Sequence, residues 1–147
     1  LSSLGAALVQ SVRLEILGID MGDSTHAIFY IVYGWSGGRD NPAVAMRTDG
    51  IVKGILAERA LQPKVPSAVG GDINCDPCFL PHLLTLLNEH CWIDVGAVAS
   101  QWGGVDAQTT CKTATAANRT RNVFLQLGVC ANDPNVFYLP SGWISHS

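Results

Sequence analysis

The chain has 147 residues, 48% of them hydrophobic and only 14% charged, enough apolar material for one packed domain and too little charge for a disordered chain. Its formal net charge of −3 argues against a protein that holds nucleic acid by bulk electrostatics alone. It still allows a nuclease, because a metal ion can supply the positive charge at a scissile phosphate.

Apolar runs such as residues 27–33 fall well short of the roughly 20 residues that a membrane span needs, so no membrane partner is expected. The five cysteines, Cys75, Cys78, Cys91, Cys111 and Cys130, are odd in number and unevenly spaced. That pattern fits reduced intracellular thiols better than a disulfide framework. The chain opens on Leu1, and residues 4–9 lack the basic lead of a signal peptide. An intracellular protein is therefore expected, with one domain over residues 1–147 that is part of something longer.

In chain order, residues 12–19 (VRLEILGI) partly alternate and read as a strand. Gly22, Asp23 and Ser24 supply turn chemistry, with His26 expected in the turn region and solvated, before a buried strand at 27–33 (AIFYIVY). The two strands predict a hairpin. A loop over 34–40 leads to Asn41-Pro42, an N-cap followed by proline at the first helical position. Val44, Thr48, Ile51, Ile55 and Arg59 then follow helical spacing, widened by Val52 and Leu56, and the helix closes near Gln62-Pro63.

Residues 67–74 (SAVGGDIN) read as a short strand of small residues running into a polar end. Pro77 opens a second helix through about His90, with Phe79, Leu80, Leu83, Leu84, Leu86 and Leu87 on its apolar side. Short strands are expected at 91–95, 109–113, 122–129 and 135–139, the stretch 96–117 being otherwise mostly loop. Strands alternating with helices predict an α/β fold. The early hairpin makes the β-sheet mixed, with the helices on one face.

The segment Gly70-Gly71-Asp72-Ile73-Asn74 carries the most chemical information. Alternation along a strand would point Asp72 and Asn74 the same way while Ile73 enters the core. The C-terminal end of a strand in an α/β sheet is also where sites usually open. Asp and Asn favour turns as well, so spacing alone fits an ordinary strand end more readily than a site.

The ordered series of motifs is more specific. GGDIN, then Cys75-Asp76-Pro77, a leucine-rich helix and Trp92-Ile93-Asp94 resemble the endonuclease/exonuclease/phosphatase (deoxyribonuclease I-like) superfamily. Val32-Tyr33-Gly34-Trp35 resembles its tyrosine-bearing strand end, and Thr110-Cys111 its threonine-containing strand. Arg121-Asn122-Val123-Phe124 and Ser145-His146 resemble its last two motifs. The resemblance spans roughly residues 12–146 and identifies the chain as the C-terminal half of such a domain, one half of a two-sheet α/β sandwich.

The resemblance implies a divalent-metal-dependent phosphodiesterase or nuclease acting on a phosphate ester, nucleic acid among the candidates. Asp72 would orient or deprotonate the attacking water, and Asn74 would hydrogen-bond a non-bridging oxygen. His146 would bind the phosphate or serve in acid–base chemistry, and Tyr33 falls near an active-site tyrosine. Mg²⁺ (or Mn²⁺) would be the ion, with Asp72 and Asn74 near it.

Two departures weaken the site. Asn122 stands where the family has the aspartate that orients the histidine, and Ser145 replaces another aspartate. The principal metal ligand belongs to the N-terminal half, so the chain by itself is expected to be inactive. Two other classes compete: a non-catalytic structural or binding remnant of the fold, and a zinc-binding or thiol module. The latter would draw on Cys75, Cys78, His82, His90 and Cys91, though no second CxxC completes a zinc spacing. Tryptophans 35, 92, 102 and 143 could stack on bases, but without an accompanying basic stripe they are expected in core or rim packing.

Overall fold

The computed structural model describes residues 1–22, 25–61, 65–89 and 92–106. Within them lie three α-helices and three strands: α1 (Ser3–Gln10), β1 (Leu14–Gly22), β2 (Thr25–Tyr33), α2 (Pro42–Leu61), β3 (Ser67–Asp72) and α3 (Pro81–Glu89). The sheet order is β1-β2-β3. β1 and β2 pair antiparallel with Leu14 opposite Val32, whereas β2 and β3 pair parallel with Tyr33 opposite Asp72. The fold is therefore α/β with a mixed sheet, and helix α2 makes the crossover that parallel strands require.

Each boundary has a local cause. Asn41 Oδ1 accepts the Ala43 N–H at 3.0 Å, which caps α2 at the proline-led start expected for it. The single helix expected over 77–90 is instead a 3₁₀ turn at Pro77–Phe79 followed by α3. Pro81 disfavours the α region at the residue before it, and Leu80 sits at φ −118°, ψ 82°. The strand expected at 91–95 does not form in its described part: residues 92–94 have no regular structure and 95–98 form a turn. There the Asp94 carboxylate and carbonyl both accept the Ala97 N–H at 3.1 Å, a local turn that competes with sheet pairing. His26 lies in β2 opposite Asp20, exposed, and not in a turn. Helix α1, which had no counterpart among the expected elements, is capped by the Ser2 hydroxyl accepting from Gly5 N at 2.9 Å. The strands expected at 109–113, 122–129 and 135–139 lie outside the described residues.

The core forms on one face of the sheet. Leu14, Ile28, Tyr30, Val32 and Val69 pack there against Ala45, Ile51, Val52 and Ile55 of α2 and Leu83 and Leu86 of α3, with Leu80 and Trp92 closing the end. Fully burying such side chains stabilises by about 1.5–3 kcal/mol each. The polar members of the α2 inner face, Thr48, Asp49 and Glu58, are also buried, and each has a partner. Glu58 accepts the Ser2 backbone N–H at 2.5 Å, which ties α1 to α2.

The opposite face is different. Strand parity puts Leu17, Ile19, Phe29, Ile31 and Tyr33 on it. Leu17 and Ile19 are each 39% exposed, Ile31 41% and Tyr33 52%. A sheet with one packed face and one water-facing face should read apolar on one side and polar on the other. This one carries large apolar side chains on both.

Candidate functional site

The rim where β2 and β3 end together gathers three of the residues that the sequence singled out, Tyr33, Asp72 and Asn74. Tyr33 ends β2, and its Cα partner across the parallel pair is Asp72, the last residue of β3. By register both side chains belong to the less covered face of the sheet.

Two glycines let the strand ends close up. Gly71 has φ +127°, and a Cβ there would lie 2.0 Å from the Val32 carbonyl oxygen. A Cβ on Gly34 would lie 2.2 Å from the Ile73 carbonyl oxygen. Gly34 N–H donates to the Asp72 carbonyl at 2.6 Å, so the residue after Tyr33 is fastened to the residue that begins the turn.

Beyond Asp72 the chain leaves the strand. Ile73 is 1% exposed and buried in the core as expected, but Asn74 adopts the left-handed conformation with φ 56°, which Asn tolerates better than most residues. Strand alternation thus does not extend to Asn74. An Asx-type turn links the pair instead: Asp72 Oδ1 accepts the Asn74 N–H at 3.1 Å. The Asn74 Nδ2 donates to the Gly34 carbonyl at 3.3 Å. Both half-buried side chains therefore sit in one cross-linked turn, 72–74, adjoining Tyr33 and Gly34. Chemically, this gives one carboxylate and one carboxamide fixed at a sheet rim.

The other candidates divide into those the structure describes and those it does not. His146 and Asn122, with Thr110, Cys111, Arg121 and Ser145, lie outside the described residues, as do His90 and Cys91. Of the proposed thiol set, Cys75 is buried and Cys78 exposed. Burial first, and then the nearby Asp76 and Asp49 carboxylates, push the Cys75 thiol up to about 11. A hydrogen bond with Asp76 leads the causes that raise Cys78. Zinc binding and thiol redox chemistry both want the thiolate, and these environments favour the thiol. His82 is engaged elsewhere: its Nδ1 lies 2.5 Å from Asp49 Oδ2, while Asp49 Oδ1 accepts the His82 backbone N–H at 2.9 Å. Asp49, 1% exposed on α2, thereby caps the first turn of α3 from a different helix. No sequence spacing signals such a cap.

One cluster was missed. The Arg13 guanidinium carbon lies 4.0 Å from the Trp35 ring centroid and that of Arg47 lies 3.6 Å from it; Arg13 also approaches the Tyr33 ring at 5.1 Å. Trp92 is in the core as expected, but Trp35 does have basic company. The three residues come from the bend before β1, the loop after β2 and the second turn of α2, so only the folded chain unites them.

Among the described residues, no group of three His, Cys, Asp or Glu side chains converges as a metal site, and no helix is long and apolar enough to cross a membrane. The chain matches no family model, no curated protein and no solved structure.

Proposed function

We propose that this chain is the C-terminal half of an endonuclease/exonuclease/phosphatase-type domain, a divalent-metal-dependent phosphodiesterase whose chemistry centres on the turn at 72–74. The observation that carries the reading is the cross-linked pair Asp72 and Asn74 at the rim shared with Tyr33. In this role Asp72 orients and deprotonates the attacking water, and Asn74 donates to a non-bridging phosphate oxygen as charge develops on it. Tyr33, exposed beside them, contacts the phosphate group. His146 serves as phosphate ligand and acid–base partner, oriented less firmly by neutral Asn122 than it would be by a carboxylate.

The donor set at the turn suits a hard, oxygen-seeking ion that keeps most of its waters, as Mg²⁺ does when one or two carboxylates and substrate phosphates hold it. Asp72 and Asn74 would lie beside Mg²⁺ or Mn²⁺, and a further carboxylate would come from the other half-domain. When bound, the ion neutralises phosphate charge and polarises the phosphoryl group.

The two-layer reading draws on the second apolar face. A second sheet packed over Leu17, Ile19 and Ile31 would run directly to Tyr33 and Asp72, because register puts all five on that face. The partner half, a phosphate-ester substrate and the metal complete the proposed assembly.

Bis(p-nitrophenyl) phosphate turnover tests the proposal. The chain alone gives no turnover with Mg²⁺ or Mn²⁺, and mixing with an N-terminal half-domain of the superfamily yields cleavage that Asp72→Ala abolishes. Cleavage by the chain alone, lost in Asp72→Ala, would overturn the half-domain assignment. A complex that forms by light scattering yet cleaves nothing would overturn the phosphodiesterase assignment.

A further inference from the structure

Arg13, Trp35 and Arg47 form a built cluster beside the 72–74 rim. Both guanidinium carbons lie within 4.0 Å of one indole centroid. Two planar cations that close to one point cannot share a face of the ring without overlapping, so they occupy opposite faces and the indole is sandwiched. The cluster is held from behind through the main chain: the Trp35 backbone N–H donates to Thr48 Oγ1 at 2.9 Å, with Thr48 fully buried on α2 beside Arg47. Arg13 is fixed through its carbonyl, which accepts the Tyr33 N–H at 3.0 Å.

Charge makes the cluster unusual. Among the described residues, neither arginine has a carboxylate within ion-pair distance, although the chain has more acidic than basic residues. The ring faces attract both cations, but nothing described neutralises them. Arg47 is exposed and Arg13 partly so, which leaves guanidinium edges able to donate to anions. Arginine is the side chain best shaped to grip phosphate in this way.

The geometry points to an anion clamp in which Arg13 and Arg47, braced on Trp35, bind phosphates flanking the scissile one, making the substrate a polynucleotide strand. This rests on the phosphodiesterase reading for its placement beside the reacting phosphate. Arg13 reaches over Tyr33, whose strand partner is Asp72, so the clamp adjoins the proposed reaction centre. An indole thickness separates the two cations, and a single phosphate cannot make close contact with both across the ring. A ligand with repeated phosphates can, and a nucleic acid strand carries one charge per ~3.4 Å of rise.

The test is fluorescence anisotropy of a labelled short single-stranded oligonucleotide with the full chain in EDTA, titrated with salt. Without metal, binding is read separately from chemistry. The double variant Arg13→Gln/Arg47→Gln weakens binding and flattens the slope of log affinity against log salt by about 1 to 2. Arg47→Gln alone, on the exposed helix surface, gives about half that change, with a circular dichroism spectrum like that of the unmodified chain. Unchanged affinity and slope in Arg47→Gln would overturn the clamp. Displacement of the oligonucleotide by inorganic phosphate at equal phosphate concentration would reduce the site to a single-phosphate one. Tighter binding of a soluble inositol bisphosphate than of the unlabelled strand would overturn the polynucleotide assignment.

Discussion

Replacing Leu17, Ile19 and Ile31 together by serine tests whether the second face of the sheet is built to be covered. These residues are 39%, 39% and 41% exposed. Covering the remaining surface of one such side chain is worth about 0.6–1.2 kcal/mol, taking about two-fifths of the full burial value, or about 2–4 kcal/mol for the three. That is a change of roughly 30- to 1000-fold in an association constant at about 1.4 kcal/mol per tenfold. Size-exclusion chromatography with light scattering at micromolar concentration, alongside binding of a hydrophobic dye, reads the effect. The unmodified chain self-associates or binds dye, as expected when large apolar side chains line an uncovered sheet face. The triple variant elutes as a monomer with weak dye signal and keeps its helical circular dichroism, because the packed core lies on the other face. A monomeric unmodified chain with no dye signal would refute the argument, since the face would then need no cover.

Gly71→Ala should destabilise by at least about 2–3 kcal/mol in urea unfolding, from left-handed strain together with the clash on the Val32 carbonyl; a loss under about 1 kcal/mol would contradict the tight strand closure. Asp49→Ala should cost about 2–4 kcal/mol, because it strips the charged cap from the His82 N–H, and more than His82→Ala, whose side chain is 38% exposed; equal losses would mean that the ring, not the cap, matters. Cys78 should react readily with a thiol reagent at pH 8 while native Cys75 does not. The folded-state pKa of Cys75 is raised from 9.0 to about 11, so its contribution to stability is fully present below about pH 9 and lost as pH rises through about 11. Cys75→Ser should flatten that alkaline decline, and an unchanged decline would locate it elsewhere.

Much of the fold was legible because period and caps act locally. The unbroken apolar run at 27–33, the Asn41-Pro42 start of α2 and the small-residue strand before Asp72 each carry their cause within a few residues. The errors have the same physical origin. Pro81 broke a helix whose leucine pattern looked continuous, and the Asp94 turn overrode an apolar strand signal. Helix α1 depends on distant Glu58, which no local pattern reveals. At the site, glycines and GDIN marked the rim correctly, but the pairing of Asp72 with Asn74 comes from a left-handed turn and not from strand alternation. The Asp49 cap and the Arg13–Trp35–Arg47 sandwich join residues more than ten positions apart, so tertiary structure alone reveals them.

The turn at 72–74 as a divalent-metal site is the central claim, and paramagnetic Mn²⁺ tests it directly without requiring turnover. Mn²⁺ should selectively broaden the amide resonances of Tyr33, Gly34 and residues 72–74 in a nitrogen–proton correlation spectrum. Excess Mg²⁺ should reverse the broadening, and Asp72→Asn should abolish it. Broadening that centres on other carboxylates such as Asp20 or Asp106, or that persists unchanged in Asp72→Asn, would contradict the account.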